Sequence, residues 1–159
     1  MATETLKFKL ELYATMWNKP PIADISIDSK SYFKEEITGT KDKPTIIEFE
    51  HELEENKSYN LIINRSGKNK RETVVEDGKI VKDQLLYIKS IEIDEIDIGS
   101  LVYEGVYKPE YPEPWATQQA KTGNKLPETI KNSPGLGHNG TWTFTFSSPF
   151  YMWLLENLY

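Results

Sequence analysis

The chain has 159 residues, 38% of them hydrophobic and 28% charged, a size at which one domain buries roughly two thirds of its unfolded surface around a single core. Its formal charge of −6 works against nucleic-acid binding, which draws on many Lys and Arg contacts to phosphate. With no cysteine in the sequence, disulfides, thiolate metal sites and cysteine nucleophiles are excluded together.

The first residues (Met1, Ala2, Thr3, Glu4) carry no basic stretch and no apolar run of signal-peptide length. No window reaches the ~18 apolar residues of a membrane span. The expectation is synthesis in the cytoplasm without membrane insertion. In residues 6–14, Leu6, Phe8, Leu10 and Leu12 alternate with Lys7, Lys9, Glu11 and Tyr13, the period of two that turns one face of a strand into a core. After the break at Pro20 and Pro21, residues 22–28 alternate again toward a turn at Asp28, Ser29 and Lys30, with residues 31–38 as the hairpin partner. Residues 45–50 and 58–64 read as two more strands, with Ile47 and Phe49 inward on the first and Tyr59, Leu61 and Ile63 inward on the second.

A polar excursion follows Asn64. Beyond it, Asp77 and Gly78 between short β-branched runs signal a small hairpin, because glycine takes the positive φ of a tight loop. Isoleucines at 91, 93, 96 and 98 predict strands meeting at a bulge or corner at Asp94 and Glu95. Past Leu101 the texture changes: 11 of the 19 aromatics lie in the last 59 residues, among prolines at 109, 112, 114, 127 and 134. A long, mostly irregular segment is expected, ordered by its own rings. Residues 140–147 resume alternation, with Trp142, Phe144 and Phe146 against threonines, as a closing strand. Ser148 as N-cap and Pro149 as first helical residue predict a terminal helix, apolar nearly all round, that must bury against its own sandwich or another subunit. The whole reads as one all-β domain, a jelly-roll-like β-sandwich: core strands over 6–99, an irregular aromatic-rich loop segment over 100–139, and the closing strand and short C-terminal helix over 140–159.

Catalytic constellations are poorly represented. The carboxylates Glu92, Asp94, Glu95 and Asp97 have the residue types of a glycosidase pair, but strand spacing reads them as a solvated face opposite Ile91 and Ile93. Serine elbows and phosphate-cradling glycine loops are absent from the sequence, so a non-enzymatic role is expected. Of the two histidines, His51 lies in a charged stretch and reads as solvated, whereas His138 lies among glycines near Trp142. Tyr103, Tyr107, Tyr111 and Trp115, with His138 and Trp142, are candidate ligand-binding residues, since flat rings suit sugar faces; the same rings would equally pack a loop or a subunit interface. Oxygen-bearing residues such as Asn64, Asp77, Asp83, Asp94 and Asp97 are candidates for a calcium ion.

Residues 61–64 (Leu-Ile-Ile-Asn) and 82–93, opening Lys-Asp-Gln and closing Ile-Glu-Ile, resemble the central part of calcium-dependent xylan-binding carbohydrate-binding modules, and Ile25 to Lys30 is similar to their first hairpin. The resemblance implies a jelly roll in which Asn64 and Asp83 help hold calcium, with Arg65 standing where a second acidic ligand would be. Residues 91–94, 111–115, 138–142 and 151–157 resemble uncharacterised virion-associated proteins of contractile-tailed marine cyanobacterial phages. That likeness implies a virion component. The expectation is a non-catalytic virion structural protein (decoration, fibre or tail-associated) that contacts other virion proteins or its own copies through Phe150, Tyr151, Trp153, Leu154, Leu158 and Tyr159. The alternative is a module that binds host surface polysaccharide, with calcium as its cofactor if it has one.

Overall fold

A computed structural model describes residues 2–16, 18–68, 74–77, 79–111, 115–123, 126–131 and 135–158; the side chains of Val74, Ile80, Val81, Ser100 and Leu158 lie outside that description. The strands are β1 (Thr3–Thr15), β2 (Ile22–Ile27), β3 (Lys30–Glu36), β4 (Thr45–Glu54), β5 (Ser58–Ser66), β6 (Val74–Glu76), β7 (Lys79–Lys82), β8 (Leu85–Ile93), β9 (Ile96–Asp97), β10 (Val106–Pro109), β11 (Gly135–Leu136) and β12 (Gly140–Ser147). Two α-helices, α1 (Trp115–Lys121) and α2 (Phe150–Leu158), and a 3-10 helix (Gly99–Glu104) complete the described elements. One sheet has the order β11, β8, β1, β4, with β9 also on β8; the other has the order β10, β12, β5, β2, β3. The predicted small hairpin is β6 with β7. The fold is an all-β, jelly-roll-like sandwich.

The period of two builds the core. On β1, Leu6, Phe8, Leu10, Leu12 and Ala14 are buried, and on β12 Trp142, Phe144 and Phe146 face them from the other sheet. The outer face of the first sheet pairs unlike charges across strands: Lys7 lies opposite Glu50, and Lys9 opposite both Glu48 and Glu92, as suits a solvated face. Two bulges re-aim side chains. Lys89 is the extra residue where β8 passes from Ile88 to Ser90 opposite β1, which lets Leu86, Ile88, Ile91 and Ile93 all point inward despite the odd spacing. Tyr32 is the extra residue of β3 opposite β2.

Its ring stacks on Phe49 at 4.4 Å, and the column continues through Phe8 at 5.1 Å to Phe146 at 5.9 Å. The Tyr32 hydroxyl also hydrogen-bonds to Nδ1 of His51. The expectation of a solvated His51 is therefore corrected: it shares the inner face of β4 with Ile47, Phe49 and Leu53 and closes the side where the edge strands of both sheets meet. Burial, then Lys30, holds its pKa below the ordinary histidine value, against the opposite pull of Asp28 and Glu52.

The corner expected at Asp94 and Glu95 is a two-residue turn joining β8 and β9, with φ of 54° and 69° at the two residues, the left-handed pair that a tight hairpin takes. The segment expected to be irregular holds more structure than its prolines suggest. β10 pairs along β12 with Pro109 at its end, where a missing N–H costs least, and five of the seven residues of α1 are Ala, Gln or Lys, all good helix formers.

At the far end of β12, α2 plugs the sandwich with Phe150 and Leu154, while Trp153 lies edge-on to Phe144 at 5.7 Å. The cap of this helix comes from across the fold: the Glu4 carboxylate accepts the N–H of Phe150 at 2.8 Å and the hydroxyl of Ser148, placing negative charge where the helix dipole favours it.

Candidate functional site

The opposite end of the sandwich gathers polar groups from loops far apart in sequence. It lies where β5 ends, β8 begins, β10 ends and β12 starts. The alternation that buries Leu61 and Ile63 on β5 also buries Arg65 completely. Its guanidinium donates from Nη1 to Asn139 Oδ1 at 2.9 Å and from Nη2 to the Gln84 carbonyl at 2.7 Å. Asn139 in turn grips the backbone of Lys68, accepting its N–H and donating to its carbonyl, both at 2.9 Å. The Lys68 ammonium reaches the Gly137 carbonyl and forms an ion pair with Asp83 at 2.8 Å, the two side chains being 11% and 20% exposed. Asp83 Oδ1 also accepts the N–H of Gln84, whose side-chain amide donates to the Lys19 carbonyl at 2.9 Å.

Aromatic residues stand on this polar base. Tyr107, 2% exposed, exchanges hydrogen bonds with the backbone of His138, donating its hydroxyl proton to the carbonyl and accepting the N–H. Burial pushes its phenol up to about 12, so it stays protonated as that donor. The fixed His138 ring stacks on Trp115 at 5.8 Å and meets Tyr111 edge-on at 5.1 Å, and Tyr111 lies 6.0 Å from Trp115. The Tyr111 hydroxyl donates to the Pro127 carbonyl at 2.6 Å. Trp115 remains 37% exposed. Burial, then Lys68, lowers the His138 pKa; Arg65 acts in the same sense and Asp83 in the opposite one. An uncharged imidazole at neutral pH offers one donor and one acceptor.

Of the six ring residues expected to bind a ligand, the structure brings Tyr111, Trp115 and His138 together. Tyr107 and Trp142 are corrected to core residues: both point inward from paired strands, and Trp142 has no exposed surface with which to meet a ligand. Tyr103 is exposed on the 3-10 helix, outside the ring cluster. The expected interface residues divide in the same way. Phe150 and Leu154 are buried in their own sandwich and Trp153 is half-buried there; Tyr151 is exposed and hydrogen-bonds to Asp94. Tyr159 and the Leu158 side chain lie outside the described residues.

Three of the four carboxylates weighed as a glycosidase pair have structural partners: Glu92 is ion-paired with Lys9 at 3.8 Å, Asp94 accepts the Tyr151 hydroxyl, and Asp97 accepts the N–H of Gly99 at 2.7 Å. Glu92 and Glu95 line a depression of about 550 Å³ on the outer face of the first sheet with Lys7, Lys9, Glu48 and Glu50. Among the described residues the rings that line it are Phe8 and Phe49, which belong to the core behind it.

The expected calcium ligands do not form a site. Asn64 is exposed on the outer face of β5, in register with Asp24 and Thr141, whereas Asp83 is held by Lys68 at the end of the sandwich. Calcium takes roughly six to eight oxygen ligands. Here Asp83, the Gly137 carbonyl, Asn139 Oδ1 and the Gln84 carbonyl already accept N–H groups of Lys68 and Arg65, and this donor set does not fit the ion. Among the described residues no group of three or more His, Asp or Glu side chains is placed to hold a metal.

Lys68, Arg65, Gln84 and Asn139 were not among the sequence-predicted site residues. Arg65 carried a signal, since it continues the inward alternation of Leu61 and Ile63. Lys68 carried none.

No protein-family model and no curated protein matches the chain. Two solved structures are similar. One is the selenomethionine form of vCBM60, described in work linking two families of calcium-dependent carbohydrate-binding modules by circular permutation. It is 8% identical, with 87% of this chain and 89% of that chain covered and a TM-score of 0.47. The other is vCBM60 in complex with galactobiose, 10% identical, with coverage of 87% and 96% and a TM-score of 0.46.

Proposed function

We propose that this chain is a non-catalytic carbohydrate-binding domain whose site is the loop end of the sandwich, with Trp115 and Tyr111 as the sugar platform. One observation carries the reading: an exposed tryptophan stacks on His138, whose loop is tied down by Tyr107 and by a partly buried pair of opposite charges. A pyranose has an apolar face of C–H groups and a rim of hydroxyls that both donate and accept. The indole and phenol rings suit the face, while the one donor and one acceptor of the His138 imidazole suit the rim. On a glycan array the wild type should bind a restricted set of oligosaccharides. Trp115→Ala should weaken its best ligand roughly thirtyfold, the about 2 kcal/mol of an aromatic anchor, with an unchanged circular dichroism spectrum. Absence of binding to every glycan, or full binding by Trp115→Ala, would sink the reading.

A second reading, assembly into a larger particle such as a virion, is favoured by α2, on which Met152 and Leu155 are each 61% exposed beside the exposed Tyr151. Light scattering should then find the wild type in species larger than one chain, and Met152→Glu combined with Leu155→Glu should return it to a monomer. A wild type that stays monomeric at high concentration counts against assembly through copies of itself.

A further inference from the structure

The geometry points to the Lys68 ammonium as the resident cation of the site loops: it joins Asp83 to the Gly137 carbonyl and fills with a side chain the role that a bound divalent ion would have there. Three chain segments meet there: its own turn after β5, the start of β8 and the approach to β12. Each brings an oxygen atom that a hard cation would accept as ligand, and each of those oxygens meets a nitrogen donor instead. Lys68 is tied at three points: its N–H and carbonyl to Asn139, and its ammonium to Asp83 and Gly137. Asn139 is shared with the buried Arg65, so a second fixed positive charge backs the first. The ion pair is mostly shielded from water and escapes the screening that weakens surface pairs. A divalent cation entering here would have to displace an ammonium from its carboxylate and sit beside a guanidinium.

Lys68 is on this account a positioning residue, which sets the 137–139 loop and through it the His138 ring, and the site keeps its shape without metal. The test uses the full chain and no sugar, so its failure is separable from failure of the glycan reading. Thermal unfolding of the wild type should have the same midpoint in chelator and in about 5 mM calcium, above the dissociation constants of even weak oxygen-built sites. Calorimetric titration with calcium should give no binding heat. Lys68→Met, which keeps the stem and removes the charge, should lower the midpoint by about 5 °C, with partial recovery in Lys68→Arg. Lys68→Asp should become calcium-responsive, its midpoint rising when the ion replaces the missing ammonium. A wild-type midpoint that rises with calcium or falls with chelator overturns the proposal. So does a Lys68→Met midpoint equal to that of the wild type.

Discussion

Replacing Trp142 with alanine should lower the unfolding free energy by about 3–5 kcal/mol, read from the urea midpoint at constant slope. The size of the effect follows from where the ring lies. Trp142 is fully buried on an interior strand of the second sheet, opposite Ile63 on one side and Tyr107 on the other, and lies parallel to Phe144 at 6.2 Å. The chain has also made room for it: a Cβ built on Gly105 would come 2.3 Å from the indole, so Gly105 must lack a side chain for the ring to fit. Gly105→Ala should therefore also destabilise, by overpacking at the same spot. Were Trp142 a ligand-facing residue, its loss would leave the urea midpoint nearly unmoved and abolish binding instead.

Arg65→Ala should cost about 3 kcal/mol in the same assay, since hydrogen bonds from a charged donor contribute about 1.5–3 kcal/mol each and this guanidinium holds Asn139 and the Gln84 carbonyl together. Arg65→Met should cost less, because the stem still packs between Ala23 and Gly140, its partners across the sheet. The order of the two variants separates lost packing from lost charge-assisted bonding. Equal stability of Arg65→Ala and wild type would show that the guanidinium does not organise this end of the sandwich.

Most of the scaffold was legible because it follows the period of two. β1 and β12 are long, their alternation is uninterrupted, and water selects one register for each. The same rule, carried one step further, places His51 inward with Phe49 and Leu53, buries Arg65 with Ile63, and assigns Trp142 to the core with Phe144 and Phe146. Reading those residues by their chemical type hid what their parity stated. The bulges at Tyr32 and Lys89 were not legible, because an extra residue reveals itself only against the strand it pairs with. β10 and α1 were hidden by prolines that lie at or beyond the ends of these elements rather than inside them.

The site was legible in part. Tyr111, Trp115 and His138 are recognisable as rings with no strand to bury them, yet 27 positions separate the first from the last and only the fold brings them together. Lys68 lies in a polar run without period, so nothing local distinguishes it from its solvated neighbours. Its role comes from Asp83 and Gly137, which reach it from two other loops.

The proposed site places the sugar at the loop end, on Trp115. The direct measurement is a nuclear magnetic resonance titration of the labelled chain with the best glycan from the array, following backbone amides and the indole N–H groups. Saturable shifts at Trp115, His138 and Lys68, with the indole of the buried Trp142 hardly moved, are the predicted result. Shifts confined to α2, or to the charged outer face around Lys7, Lys9 and Glu50, with Trp115 unperturbed, would contradict it.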